Sequence, residues 1–366
     1  MAFLGIDNIK FFVGVVEDRQ DPSKLGRLRV RCLGIHTSDK NKVATADLPW
    51  ASVSLPVTSS GISGIGQSPS FIVEGSWVWG YFRDGNYLMQ ELVVVGTLPG
   101  RPSELGDPNK GFYDPNRRST DEDEDDYDIS VYPRNIAEPD TNRLAVNNPD
   151  KPAASLVTRR LARIEGVPTA DFDLIEPNIE ASDTDTWSQP EIAYNAVYPY
   201  NHVFESESGH IKEYDDTENH TRIHERHRSG TGYEITHNGD KIDIITNDHY
   251  ILTSNNNKAY IQGDSDITIG GRHKIYINKD GQSNNHYDIQ IGPNANVNIQ
   301  VDNGNLNVVT KTGQFNFDVG ADFNVNVGGN YNLTVLGNKK ETIEGNHTQD
   351  TTGTVVIKGA TIDLNP

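Results

Sequence analysis

Phe315-Asn316-Phe317-Asp318-Val319-Gly320, Phe323-Asn324-Val325-Asn326-Val327-Gly328 and Tyr331-Asn332-Leu333-Thr334-Val335, with Gly337 two places on, are three versions of one eight-residue unit. Apolar side chains fall on alternate residues, the period of a strand buried on one face. A glycine closes each unit and is expected to supply the positive φ of a corner. The intervening positions Asn316, Asp318, Asn324, Asn326, Asn332 and Thr334 are polar, so each unit is one short strand with a dry side, a wet side and a bend.

The beat extends upstream. Ile261, Ile269 and Ile277 are eight apart, as are Gly263 and Gly271, while Ile299, Val308 and Phe317 step by nine, an octad with one inserted residue. Residues 238–366 are therefore read as one repeat array, whose units cannot bury a core alone. Two arrangements give every strand a partner above and below: three octads of one chain coiled into a triangle, or three chains wound round a common axis. Periodicity does not choose between them. Both place strands about 4.8 Å apart, and in the intertwined case ~16 octads make a needle roughly 75 Å long.

Composition narrows the function classes. The formal charge is −20, with 52 Asp and Glu against 32 Lys and Arg, which argues against a phosphate backbone as partner. A single cysteine, Cys32, excludes an intrachain disulfide framework and a multi-cysteine zinc site. The chain has no apolar run of membrane-spanning length and no signal-peptide pattern at its start, so synthesis and assembly in the cytosol are expected.

Ahead of the array lie three textures. Residues 1–105 predict a small all-β barrel. Its strands are Phe11 to Val16, Leu28 to Cys32, one opened by Trp50, Trp77 to Phe82, and Tyr87 to Val95, the last two flanking a turn at Asp84-Gly85-Asn86. Arg27, Arg29 and Arg31 alternate with Leu28, Val30 and Cys32, which predicts a strand with one buried and one cationic face. Residues 106–197 are rich in proline and acid, including the run 121–128, and read as an irregular linker with one possible short helix at 156–164. Residues 198–237 read as a few antiparallel strands that lead into the needle at 238–366.

The residues Phe11-Phe12-Val13-Gly14-Val15-Val16-Glu17-Asp18-Arg19, Asp21-Pro22, Lys24-Leu25-Gly26-Arg27, Val30-Arg31 and Leu48-Pro49-Trp50 resemble the N-terminal barrel of central spike proteins in T-even-like contractile phage tails. So do Tyr198-Pro199-Tyr200-Asn201, Glu207-Ser208-Gly209-His210, Glu213-Tyr214-Asp215-Asp216-Thr217 and Arg222-Ile223-His224, at the point where that family passes into its shaft. With the octads, the resemblance covers roughly two thirds of the chain. It implies an OB-fold barrel, a homotrimer, and a C-terminal intertwined triple-stranded β-helix that punctures the host outer membrane. It also implies docking of the barrel to the tail hub and baseplate, and a place in the virion. The related spikes of type VI secretion work by the same mechanics and are the alternative reading, beside a trimeric tail-fibre carbohydrate binder or depolymerase.

The best known T-even members carry a lysozyme domain between barrel and needle. Here Arg159-Arg160-Leu161-Ala162-Arg163-Ile164-Glu165-Gly166 is only a faint echo of its catalytic stretch, and linker-like sequence follows. No catalytic residue, cofactor or metal site is therefore nominated, since a glycosidase needs two carboxylates held in a rigid cleft. The OB resemblance raises oligonucleotide binding, which the acidic charge disfavours. His220, His224 and His227 could present imidazoles to an ion, but inter-chain or solvated histidines are the preferred reading. The acidic run lacks the glycine and terminal glutamate of a calcium loop. The end Ile362, Asp363, Leu364, Asn365 and Pro366 keeps strand alternation and would leave an apolar platform. By resemblance, a conical PAAR-type tip protein caps it.

Overall fold

A computed structural model of the chain describes residues 9–118, 134–136, 139–146, 178–180, 186–188, 193–278, 281 and 286–363. The barrel consists of β1 (Lys10–Asp18), β2 (Leu28–Cys32), β3 (Trp50–Val53), β4 (Trp77–Phe82) and β5 (Leu92–Thr97), closed in the order β1-β2-β3-β5-β4. All neighbours are antiparallel except β3 and β5. Phe12, Val16, Leu28, Val30, Cys32, Ala51, Val78, Phe82, Leu92 and Val94 fill it, and the rings of Phe12 and Phe82 sit 5.2 Å apart. Closure forces strands together at two glycines. A Cβ on Gly14 would run into the Arg31 carbonyl, and one on Gly80, at the bulge where β4 meets β5, into that of Val93.

The expected strands are present with two differences. β5 begins at Leu92, because Asp84 to Gln90 form a longer connection in which Asp84 accepts from the Gln90 backbone N–H. β2 is not cationic on its second face, since Arg31 is wholly buried. Its guanidinium donates to Glu17 and to the carbonyls of Thr37 and Val43, which ties the loop after β2 to the barrel wall.

A second sheet is an antiparallel meander of β10 (Asn201–Glu205), β11 (Ile211–Asp215), β12 (Arg222–Arg226), β13 (Gly232–Ile235) and β14 (Lys241–Ile244). Paired residues share a face, so Val203, Glu213, His224, Glu234 and Ile242 form one row across it. Two short pairs complete the strands: β6 (Arg117–Arg118) with β7 (Arg134–Asn135), and β8 (Asn178–Glu180) with β9 (Thr186–Ser188).

The described parts of 106–197 are pinned at several points. The Gly111 N–H donates to the Ser38 carbonyl at 2.8 Å, and Arg117 pairs with Asp140 at 2.8 Å. The single helical turn α1 (Arg143–Val146) lies against β10, and its Leu144 carbonyl accepts from the Tyr194 hydroxyl at 2.7 Å and the Asn201 amide at 3.1 Å. The expected helix at 156–164, the acidic run 121–128 and the Arg159 to Gly166 stretch lie outside the described residues.

The chain divides into two units between His273 and Lys274. In the second unit the described residues run extended between bends at the glycines, but Gly320, Gly328 and Gly337 make their bends without the expected positive φ, and among the described residues no strand pairs with another of the same chain.

Candidate functional site

The second unit carries the surface that asks for an explanation. In the single chain Phe315, Phe317 and Phe323 are 58%, 69% and 64% exposed, and Val325, Val327, Tyr331, Leu333 and Val335 are exposed with them. The Phe317 ring lies 4.7 Å from that of Phe315 and 5.7 Å from that of Phe323, so the stripe passes continuously from one octad to the next. Burying such a side chain is worth roughly 1.5–3 kcal/mol. A stripe repeated over successive octads is far larger than the apolar patches monomers usually expose. The extended backbone beside it makes no strand ladder within the described residues, and further strands laid alongside would satisfy both requirements.

At the end of the array Ile362 and Asp363 are exposed; Leu364, Asn365 and Pro366 lie outside the described residues.

The three arginines of β2 and its approach are neutralised one by one. Arg27 pairs with Asp21 at 2.7 Å, Arg29 with Asp18 at 3.5 Å and Arg31 with Glu17 at 2.6 Å. Arg29 also stacks over Trp50 at 4.5 Å. Burial by itself would raise the Glu17 carboxyl, but hydrogen bonds from Arg31 and Thr45 and the Arg31 charge outweigh it and hold Glu17 below its ordinary value. A strand whose cations are internally paired offers little to a polyanion.

On one face of the meander a charge cluster is buried. Glu213 accepts from Arg222 at 2.7 Å, from His224 Nδ1 at 2.5 Å and from Asn201 at 2.8 Å, while Arg222 also reaches Glu234 at 3.2 Å. Tyr194 lies under the Arg222 guanidinium at 5.1 Å. Burial alone would raise Glu213, yet His224, Arg222 and Asn201 keep it below the usual carboxylate range. The cluster locks strands together.

The three histidines singled out in the sequence have separate surroundings. His224 belongs to this cluster, the His220 N–H donates to the Thr217 carbonyl, and His227 contacts Ser229 and stacks on His210 at 4.6 Å. No group of three or more metal-ligating side chains forms among the described residues. Cys32 is buried in the barrel, which pushes its thiol up to about 12. The ion pairs of Glu17 and Glu213 were not legible in advance; alternating charged residues in two strands were the available signal, but their partners lie on other strands.

Between barrel and meander is a cleft of about 1350 Å³, walled in part by Phe71, Trp77 and Phe112. Its carboxylates are engaged: Glu207 with Arg19 at 2.9 Å, Asp114 and Asp140 with Arg117, Glu205 with Asn142, and Glu104 with the Tyr113 hydroxyl.

Comparison with known proteins places these features in a family. Residues 34–163 match the family model described as Gp5 N-terminal OB domain, a stretch that begins just after β2 and takes in β3 to β5. The chain is 36% identical over 300 residues to "Protein Gp5" of Vibrio phage KVP40, covering 75% of this chain and 66% of that protein. It is 44% identical over 114 residues to the pre-baseplate central spike protein Gp5 of Enterobacteria phage T4, covering 30% of this chain and 20% of that protein. The chain thus spans about two thirds of one relative and a fifth of the other.

Proposed function

The chain belongs to the Gp5 central spike family of T-even-like phages, and from that premise we propose that it is the structural central spike of a contractile tail baseplate. In this reading three copies associate through the octads of residues 238–366 into an intertwined β-helix. The barrel end docks to the tail hub, the C-terminal end receives a PAAR-type tip, and the assembled shaft punctures the host outer membrane. The observation that carries the proposal is the apolar stripe that one chain leaves exposed over many consecutive octads. A single-chain coil would have covered much of that stripe with its own next turn. Three chains cover it with one another and leave no open strand edge along the shaft, which makes the shaft stiff.

The role is mechanical, without hydrolysis of cell wall. In support, Glu17, Glu207, Asp140 and Glu213 are each held by an arginine, which commits these four carboxylates to ion pairs rather than to a sugar.

The test is the mass of the purified protein in solution before and after denaturation. A folded species of three times 40.5 kDa that falls to 40.5 kDa on denaturation is expected. A folded monomer would overturn the needle.

A further inference from the structure

Past Val335 the eight-residue step continues, but its first two apolar places become polar. The third apolar place of each octad is taken by Val319, Val327, Val335 and then Ile343, with exposures of 44%, 47%, 46% and 46%, so the register is unbroken. Gly337, Gly345 and Gly353 keep the same step. The first place, held by Phe315, Phe323 and Tyr331, is then Lys339; the second, held by Phe317, Val325 and Leu333, is Glu341. One octad on, the three places are His347, Gln349 and Thr351, and after that Val355 and Ile357 restore the apolar pattern. Two polar octads thus interrupt the stripe, anchored by Ile343.

The two charges are matched. Lys339 Nζ lies 2.9 Å from Glu341 Oε2 within the chain. The hydrogen bond and charge of Lys339, and to a smaller extent the charge of His347, favour the ionised Glu341 carboxylate.

We propose that these residues form an inner polar belt in the assembled needle, in which Lys339 and Glu341 of each copy pair with those of the other two copies and thereby fix which octads lie side by side. This rests on the trimeric reading above. Octads 315–319, 323–327 and 331–335 carry nearly interchangeable apolar triplets, so a slip of one octad between chains loses little burial there. At the belt the same slip sets Lys339 and Glu341 among apolar or unmatched polar side chains. Buried charge without a partner is strongly unfavourable, and single polar layers are known to set register and oligomer state in other fibrous assemblies.

The experiment uses full-length chains. K339E or E341K alone places six like charges in one layer, and each is expected to lower trimer yield at least tenfold by native mass measurement. The swapped double variant K339E/E341K is expected to restore the yield, while K340E, on the outward phase, leaves it unchanged. K339V/E341V is expected to form trimers that exchange amide hydrogen at residues 355–363 as two mass envelopes, where the natural sequence gives one. Trimers from K339E or E341K at the natural yield, failure of the swap to rescue, or a single envelope from K339V/E341V would overturn the belt. A monomeric natural protein would instead remove the trimeric reading itself.

Discussion

The barrel and the octad array share the same alternation of apolar and polar residues, but they treat burial in opposite ways. In the barrel, Phe12, Val30, Val78, Phe82 and Val94 are buried within one chain because five strands curl until each edge finds a partner. In the octad array, Phe317, Val325 and Leu333 have the same alternation and remain exposed in the single chain, because an octad turns its corner before it can pair with the next. The difference lies in what separates the strands. Connections such as the one between Phe82 and Leu92 are long enough to bring a strand back beside its predecessor, whereas a single glycine bend carries the chain onward. On the proposed trimeric reading, a self-sufficient barrel would fold first and the octads would become stable only on association.

The sharpest way to break this comparison is Val325→Asp. A carboxylate on the inner stripe should abolish the assembled species in native mass measurements, while the barrel retains its cooperative unfolding transition. Loss of the barrel transition as well would show that the two regions are not independent in stability.

Next in size is the barrel core. Phe82→Ala should cost about 3–5 kcal/mol. Because burial pushes Cys32 up to about 12, that thiol should resist alkylation until the barrel opens, so its labelling midpoint in denaturant reports the loss. The mass of the assembly should be unchanged.

Glu213→Gln addresses the join between the regions. Removing that carboxylate's charge leaves Arg222 with Glu234, at 3.2 Å, as its remaining buried acid, an effect of up to about 3–5 kcal/mol at neutral pH. The pH dependence follows from the lowered carboxyls of Glu213 and Glu17. Their stabilisation is complete above the ordinary value of 4.5 and is lost as pH falls through the lower folded value. Thermal melts of the natural protein should hold nearly level down to about that pH and then drop, and the Glu213→Gln variant should show a shallower drop. The smallest effect is expected at Arg83→Ala. Its pair with Glu91 is more than half exposed on both sides, so the change should stay under about 1 kcal/mol in chemical denaturation.

Much of this was legible in the sequence because it is local. Alternation at Leu28, Val30 and Cys32 predicts a half-buried strand, and the step from Phe315 to Phe323 to Tyr331 predicts a stripe, with no knowledge of what covers either. Arg31 was the instructive error. Its alternation with apolar residues read as a solvent-facing cation, but the strand curls and the next loop folds over it, so it became the most buried arginine of its strand. The linker was read from composition, which reports average solvation and misses single anchors such as Arg117 with Asp140 or Leu144 with Tyr194.

By itself the sequence determined the periodic elements of this protein: five barrel strands, a strand-rich lead-in and an octad array whose dry side one chain cannot fill. Backbone period and side-chain polarity are enough for that, since both are set by neighbours two to eight residues away. Tertiary structure alone decided which charges met. Glu17 with Arg31 and Glu213 with Arg222 and His224 are brought together across strands, and a buried ion is stable only where the fold delivers its partner to within hydrogen-bonding distance.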